Sequence, residues 1–320
     1  MKYSIGIDIG GTNTVLGLVD NKGKIVKTNR FLTSQCEDFA SYIEVLAVNI
    51  IELYKSIPPL DNEGIWGVGI GAPNGNRYKG IIDNAPNLKY KGVLEVKQLL
   101  EKELAKYDLN LRVELDNDAN AAAMGEMIYG KAQGVKNFIM ITLGTGLGSG
   151  IVVDGRLVYG YTGFAGEVGH TIIEEKGRLC NCGRRGCVER YCSVSGFTLT
   201  AEEKLTGTSQ PSLLRRYPKD EVTGELIYKV ALQGDELALS CYDYTAKMLA
   251  IALANVTAIT SPEKIFIFGG LSKSGDLLLK PLKTYFEHYV FDVFKGSVSI
   301  ELSGLKEDGA AILGAAALVF

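Results

Sequence analysis

Neither sign of charge dominates this 320-residue chain: 34 lysines and arginines face 37 aspartates and glutamates, for a formal net charge of −3 and a pI near 5.6. That balance argues against a nucleic-acid surface. The one basic cluster, Lys176, Arg178, Arg184, Arg185 and Arg190, imitates a basic zinc knuckle only locally. Long apolar runs are missing too: no stretch reaches the ~18 residues of a membrane span, and the N-terminus enters a strand pattern without a charged leader. Cysteine is sparse, with six residues of which Cys36 and Cys241 stand alone and three are clustered. Such usage fits a reducing compartment rather than a disulfide framework. The expectation is a soluble cytoplasmic protein with no membrane or nucleic-acid partner. Two nucleotide signatures are absent as well. There is no Gly-x-x-x-x-Gly-Lys-Ser/Thr, and the glycine-rich turns lead into strands rather than helices, with Ser149 at the sixth position of the second. What remains is 46% hydrophobic and long enough for one large domain or two lobes with their own cores.

The densest chemistry lies between residues 166 and 192. Cys180, Cys182 and Cys187 fall within eight residues, separated by Gly-rich polar turns and preceded by His170, which matches the ligand types and spacing of a tetrahedral zinc site. Three buried thiols would be the plainer explanation, but structural cysteines sit among apolar neighbours, and these sit among Asn181, Gly183, Arg184, Arg185 and Gly186. Spacing leaves the fourth ligand open between His170 and Cys192. A closed shell of protein ligands leaves no position for a reacting water, so the metal is structural. Folding this segment around an ion brings the carboxylates of Glu167 and Glu189 near the imidazole of His170, a group suited to gripping a polyhydroxylated ligand.

A second signal is duplication. Tyr3 to Ile9 reads as a strand, Gly10-Gly11-Thr12 as a break, Thr14 to Val19 as a second strand, and Lys24 to Phe31 as a third. Phe138 to Leu143, Gly144 to Gly148, Gly150 to Val153 and Arg156 to Tyr159 repeat the arrangement. Ile7, Ile9, Gly10, Val19 and Asp20 have counterparts in Ile141, Leu143, Gly144, Val153 and Asp154. Each loop can expose backbone N–H groups to an anion, and the two together would hold the ends of a triphosphate. Asp8, just ahead of the first loop, is placed to hold the hydrated Mg²⁺ of a nucleotide; its counterpart Thr142 carries no charge.

Between the copies, Val113 to Ala123 reads as a strand running into a capped helix, with Asp116, Asn117 and Asp118 at the junction. A cap needs one polar residue, and three imply a site in which a carboxylate takes a hydroxyl proton during phosphoryl transfer. Ile70 to Asn76 ends a strand in a turn. Lys264 to Phe268 leads to Gly269-Gly270, where a flat base can approach the backbone. The Ala-rich segments of about 237–261 and 309–320 read as buried helices, and residues 200–235 read as helical and polar with no site signal.

These pieces resemble the ROK family of sugar kinases and sugar-responsive repressors over essentially the whole chain. The matching residues are Asp8-x-Gly10-Gly11-Thr12, Asn117-Asp118-Ala119-Asn120-Ala121, Leu143 to Gly148, Gly166-Glu167-x-Gly169-His170, and Cys180-x-Cys182-Gly183-x-x-Gly186-Cys187-x-Glu189. The resemblance implies an α/β, two-lobed actin-like ATPase (ribonuclease H-like) fold with duplicated β-meander/helix units and a zinc clip. The small lobe would be 1–118 plus about 305–320, and the large lobe 119–304 with the zinc segment 166–189. It implies ATP with Mg²⁺ bound by Asp8, Gly10, Gly11, Thr12, Asn13, Gly144, Thr145 and Gly146, with adenosine near Gly269 and Gly270. It also implies structural Zn²⁺ on His170, Cys180, Cys182 and Cys187, leaving Cys192 outside. Asn117, Asp118, Glu167, His170 and Glu189 would hold sugar hydroxyls, His170 serving sugar and zinc with its two nitrogens, and Asp118 would be the base for transfer to the 6-hydroxyl of a hexose. Where the family usually shows Pro-Gly, this chain has Pro73-Asn74-Gly75-Asn76. Asn74 there resembles glucokinase-type members and points to glucose over N-acetylated hexosamines, mannose or fructose. Family repressors carry a helix-turn-helix ahead of the first loop, and seven residues before Asp8 leave no room for one. The resemblance implies a homodimer.

Overall fold

Two five-stranded sheets with the same strand order organise the chain. The computed structural model describes residues 2–57 and 64–320, which fall into two compact units. The first runs through Gly134 and adds Leu157–Ala165 and Gly304–Phe320; the second comprises Val135–Arg156 and Gly166–Ser303. The expected lobe boundary at 118 therefore falls inside the first unit, which keeps the helix that follows it.

Along the first unit, β1 (Tyr3–Ile9), β2 (Asn13–Asp20) and β3 (Ile25–Leu32) form the expected meander. Helix α1 (Phe39–Lys55) follows, then β4 (Ile65–Ala72), a small sheet of β5 (Gly75–Asn76), β6 (Ile81–Asp83) and β7 (Val93–Leu94), α2 (Val96–Ala105), β8 (Val113–Asn117) and α3 (Asp118–Tyr129). The second unit holds β9 (Phe138–Leu143), β10 (Leu147–Val153), β11 (Arg156–Leu157), α4 (Glu189–Cys192), α5 (Val194–Gly207), α6 (Gly224–Ala231), α7 (Glu236–Thr260), β12 (Lys264–Phe268), α8 (Asp276–Tyr289) and β13 (Ser299–Leu302). Helix α9 (Ala310–Ala317) returns to the first unit. Sheet orders are β3-β2-β1-β4-β8 and β11-β10-β9-β12-β13: an antiparallel meander extended by two parallel strands in each. The duplication extends from the hairpins to whole sheets.

Pairing corrects one part of that duplication. In the first hairpin Ile9 opposes Thr14, while in the second Leu143 opposes Leu147, so the second turn is one residue shorter. Beyond the turns the offset drops by one, and Val19, opposite Ser4, corresponds to Val152, opposite Phe138, rather than to Val153. The third strand of the second copy also stops at Leu157 instead of Tyr159. Residues 200–235 form two helices separated by 3-10 turns near Pro211 and Pro218, which cannot continue a helix. Helix α7 is 25 residues long and has one window of mean hydropathy 1.2, but 67% of that window is buried within the protein, as expected of the buried helix read over about 237–261.

In the first unit, Ile5, Ile7, Leu16, Leu18, Val68 and Ile70 bury one sheet face with Tyr42, Leu46 and Leu100 of α1 and α2. The opposite face carries a transverse row of glycines, Gly17, Gly6 and Gly69, each paired with the next across the strands. Their missing side chains let α9 lie directly on the sheet. A Cβ on Gly6 would come 2.0 Å from the Ile312 carbonyl oxygen, and one on Gly69 would come 1.8 Å from that of Ala315. Neither backbone can yield without lifting the helix. Gly69→Ala is expected to destabilise the protein by about 2–3 kcal/mol in urea unfolding. Gly71→Ala, whose Cβ would meet its nearest neighbour at 3.4 Å, stays within about 1 kcal/mol.

Candidate functional site

In the first unit the site grows from the carboxyl ends of β1, β4 and β8. Asp8 pairs with Gly71, and Gly71 with Asp116, so the three lie in one row on the sheet face that holds the glycines, one step past them. Helix α3 starts at Asp118, capped by Asn117, whose side chain accepts the Asn120 N–H at 2.9 Å. The junction is thus a helix cap, as one residue of the cluster was expected to be, and the cap presents Asp118 in the first turn. A Cβ on Gly71 would lie 3.9 Å from the Asp118 Cα, so that glycine leaves the space between Asp8 and Asp118 free of a side chain.

The two carboxylates feel one another. Burial, and then the charge of Asp118, push Asp8 up to about 6. Asp118 is open at its own surface yet ringed by protein, and that crowding raises its carboxyl above the ordinary range, against the opposing hydrogen bonds from the Ala119 N–H and its own. Two acids strained in this way suit a divalent cation, which would hold Asp8 ionised. Ahead of them, the Gly10 N–H donates to the Asn13 carbonyl at 2.9 Å, and the Gly11 and Thr12 N–H groups meet no acceptor among the described residues. Gly11 is pressed so closely on the Asn87 carbonyl that a Cβ would come within 2.1 Å of it. This loop is a cradle of open backbone donors.

Several polar side chains of this half find partners that the sequence reading did not supply, and Glu126 among them was not singled out at all. Asp116 is fully buried, its Oδ1 accepting the Asn117 N–H at 2.8 Å and the Asn120 Nδ2 at 2.9 Å. Its Oδ2 makes no hydrogen bond of standard geometry among the described residues, although the nearby Tyr159 hydroxyl favours its charged form against burial. Asn76, also fully buried, donates to the Thr162 carbonyl at 2.8 Å and so ties residues 157–165 into the unit. Buried Glu126 accepts the N–H groups of Lys131 and Gly304, at 2.8 and 2.9 Å. Asn74 sits in a left-handed turn with φ 53°, its amide donating to the Asp83 carbonyl at 3.0 Å. Only its side-chain oxygen is left to face a ligand.

In the second unit the loop after β9 mirrors the first. The Gly144 N–H donates to the Gly146 carbonyl at 3.0 Å, and the Thr145 and Gly146 N–H groups meet no acceptor among the described residues. The loop's carbonyls are tied to the start of α5: Gly144 accepts the Val194 N–H at 2.8 Å, and Thr145 accepts the Ser195 hydroxyl at 2.9 Å. Gly269, at φ 98°, lies against the Leu143 backbone, and Gly270 lies beside Val194, so both glycine motifs of this unit meet at one end of its sheet.

Glu189 links that loop to the cysteines. Its Oε2 accepts the Leu147 N–H at 3.0 Å, and its Oε1 lies 3.8 Å from Cys180 Sγ. The Ser149 hydroxyl donates to the Gly166 carbonyl and accepts the Val168 N–H at 3.1 Å, which sets the turn carrying Glu167 and His170. Donor atoms of His170, Cys180, Cys182 and Cys187 all lie within 4.8 Å of one another, with Cys180 Sγ 3.9 Å from His170 Nδ1. Cys192 points elsewhere, to the Thr245 carbonyl. Gly186, at φ 77°, closes the loop so tightly that a Cβ would come 1.7 Å from the Glu174 carbonyl oxygen.

The thiols fit a cation. Burial works against a Cys182 thiolate, yet hydrogen bonds from the Arg184 backbone and guanidinium, then from Cys180 and Cys187, bring it down to about 6. Cys180 and Cys187 are raised by burial, Cys187 to about 12. Packing three thiols and an imidazole with only one readily ionised thiol is unfavourable unless a positive ion shares the set.

The sequence profile of the ROK family matches residues 4–320. The glucokinase of Halalkalibacterium halodurans is 36% identical over 316 residues, covering 98% of this chain and 94% of that protein. A putative xylose repressor of a Caldicellulosiruptor species is 32% identical over 98% of this chain and 77% of its own length. Among solved structures, a ROK family glucokinase from Streptomyces griseus in complex with glucose and AMPPNP aligns over 98% of both chains, with a TM-score of 0.78 and 30% identity.

Proposed function

The chain belongs to the ROK family, with its actin-like α/β fold, and is an ATP-dependent hexose kinase; on that premise we propose that its acceptor is the 6-hydroxyl of glucose and its general base Asp118. The observation that carries the assignment is Asp118, exposed in the first turn of α3 and near enough to Asp8 for its charge to raise that carboxyl. Phosphoryl transfer leaves the protein mainly positioning and charge stabilisation to supply. Asn117, Glu167, His170 and Glu189 hold the sugar hydroxyls, with Asn74 contributing its side-chain oxygen, and Asp118 takes the proton as the 6-oxygen attacks the γ-phosphorus in line with the leaving oxygen.

The Gly10–Asn13 and Gly144–Gly146 loops cradle the phosphates with their open N–H groups, and adenosine lies near Gly269 and Gly270. Asp8 would hold Mg²⁺, which neutralises charge on the phosphate oxygens. His170, Cys180, Cys182 and Cys187 would hold Zn²⁺, which would serve structurally; His170 turns Nδ1 toward Cys180, leaving Nε2 for the sugar.

ADP release with Mg-ATP over glucose, mannose, fructose, N-acetylglucosamine and N-acetylmannosamine tests this reading. The highest kcat/KM is expected with glucose. A preference for another sugar would replace glucose in the assignment, and no rate with any sugar in zinc-loaded protein would move it to a regulatory role.

Asp8 gives a second check. Its native pKa of about 6 exceeds the ordinary value, so the native state holds this proton more tightly than the unfolded chain, and stability falls as pH rises between about 4 and 6. Asp8→Asn removes that deficit. The ligand-free variant is expected to be more stable than wild type by about 2 kcal/mol at pH 7.5, with no gain below pH ~4, while Mg-ATP-dependent turnover is lost. Thermal unfolding at the two pH values, with and without Mg-ATP, decides it.

A further inference from the structure

One cation flanks the first glycine loop without a counter-charge. Arg30 on β3 lies opposite Val15, and Val15 opposite Asp8, so Arg30 extends the Asp8 row across the same sheet face. Adjacent strands are about 4.8 Å apart, so Arg30 and Asp8 are separated by about 10 Å at the backbone, within the span of a phosphate chain and an arginine side chain. The Arg30 Nε donates to the Asn13 Oδ1 at 3.0 Å, and the Asn13 carbonyl is what closes the loop onto Gly10. The guanidinium is thereby held at the mouth of the cradle, with both terminal nitrogens uncommitted among the described residues.

Several other cations of this unit are paired with carboxylates. Lys27, on the same strand, bonds Glu52 at 2.9 Å; Arg112 bonds Glu114 at 2.8 Å, and Arg77 lies 3.5 Å from the same carboxylate. Arg30 is exposed and has no such partner among the described residues. An arginine fixed by Nε presents its two terminal amino groups as a planar fork, which matches a pair of phosphate oxygens.

We propose that Arg30 is a nucleotide-binding residue, its terminal guanidinium nitrogens gripping non-bridging oxygens of the phosphate chain seated on the Gly10–Asn13 loop. The inference rests on the reading of that loop as an ATP-phosphate site. It adds a side-chain clamp to a site otherwise made of backbone donors, and gives Asn13 the task of aiming it.

Calorimetric titration with Mg-AMPPNP of wild type, Arg30→Ala and Arg30→Lys tests it, alongside glucose affinity and thermal unfolding of each. Arg30→Ala is expected to weaken Mg-AMPPNP about tenfold, with glucose affinity and melting temperature unchanged. Arg30→Lys keeps the charge but not the fork, and should recover part of the loss. If wild type binds Mg-AMPPNP and Arg30→Ala binds it within twofold as tightly, the clamp is refuted and the loop reading stands. If wild type binds no Mg-AMPPNP, the loop reading falls and the clamp with it.

Discussion

Asp118→Asn is expected to lower kcat by about 10²–10⁴ while glucose affinity changes by less than about tenfold. The amide matches the carboxylate in size and can still accept the Ala119 N–H that Asp118 accepts at 2.9 Å. The first turn of α3 and its Asn117 cap are therefore preserved, and what is lost is the basic oxygen. Because burial raises the Asp118 carboxyl, kcat/KM of wild type should climb with pH through a limb above the ordinary carboxylate value of about 3.9, as the group loses its proton. The variant should lack that limb. It should also lower the pKa of Asp8 from about 6, since the Asp118 charge is the second of the two influences that raise it. Steady-state kinetics across pH and carboxyl titration by NMR provide independent readouts. Full turnover in Asp118→Asn would remove it from the role of base, and an unmoved Asp8 would show that the two carboxylates do not interact.

Most of what could be read from sequence was local. The β1–β2 and β9–β10 hairpins carry their strand period and glycine break within about twenty residues, and the zinc-type segment carries its spacing within eighteen. The residues that hold the site together are different in kind. Asn76 finds its acceptor 86 residues away at Thr162, Glu189 finds the Leu147 N–H 42 residues back, and Glu126 reaches Gly304 across 178 residues. Each is a polar side chain whose partner is a backbone group, and a backbone group leaves no signature in the sequence. Asp116 was visible as one polar residue too many for a cap, but its burial beneath Asn120 depends on β4 lying beside β8. The one-residue slip between the two hairpins also has a physical cause. The Gly10 N–H reaches three residues on and the Gly144 N–H only two, and glycine-rich sequences allow either turn.

The cysteine segment leads to the second large effect. Cys182→Ala is expected to reduce bound zinc from about one equivalent per chain to near zero and to weaken sugar binding by 10- to 100-fold, the range usual when the support of a positioned ligand is removed. Of the three cysteines Cys182 is the exposed one, whereas Cys180 and Cys187 are buried, so its truncation leaves no cavity in the interior. The effect should be directed. His170 Nδ1 faces Cys180, and the Glu189 carboxylate touches both Cys180 and the backbone of the glycine loop. Without an ion the imidazole and Glu189 lose the support that aims them, while the Thr145 and Gly146 N–H groups remain anchored through Val194 and Ser195. Sugar affinity should therefore fall while Mg-AMPPNP affinity stays within about threefold. Metal analysis of the purified protein, followed by separate glucose and nucleotide titrations, distinguishes the outcomes. A metal-free wild type with full activity would end the zinc reading. Loss of the ion with sugar affinity intact would make the clip a fastening of the 166–189 segment alone, and equal losses of sugar and nucleotide would place its effect on the folding of the whole unit.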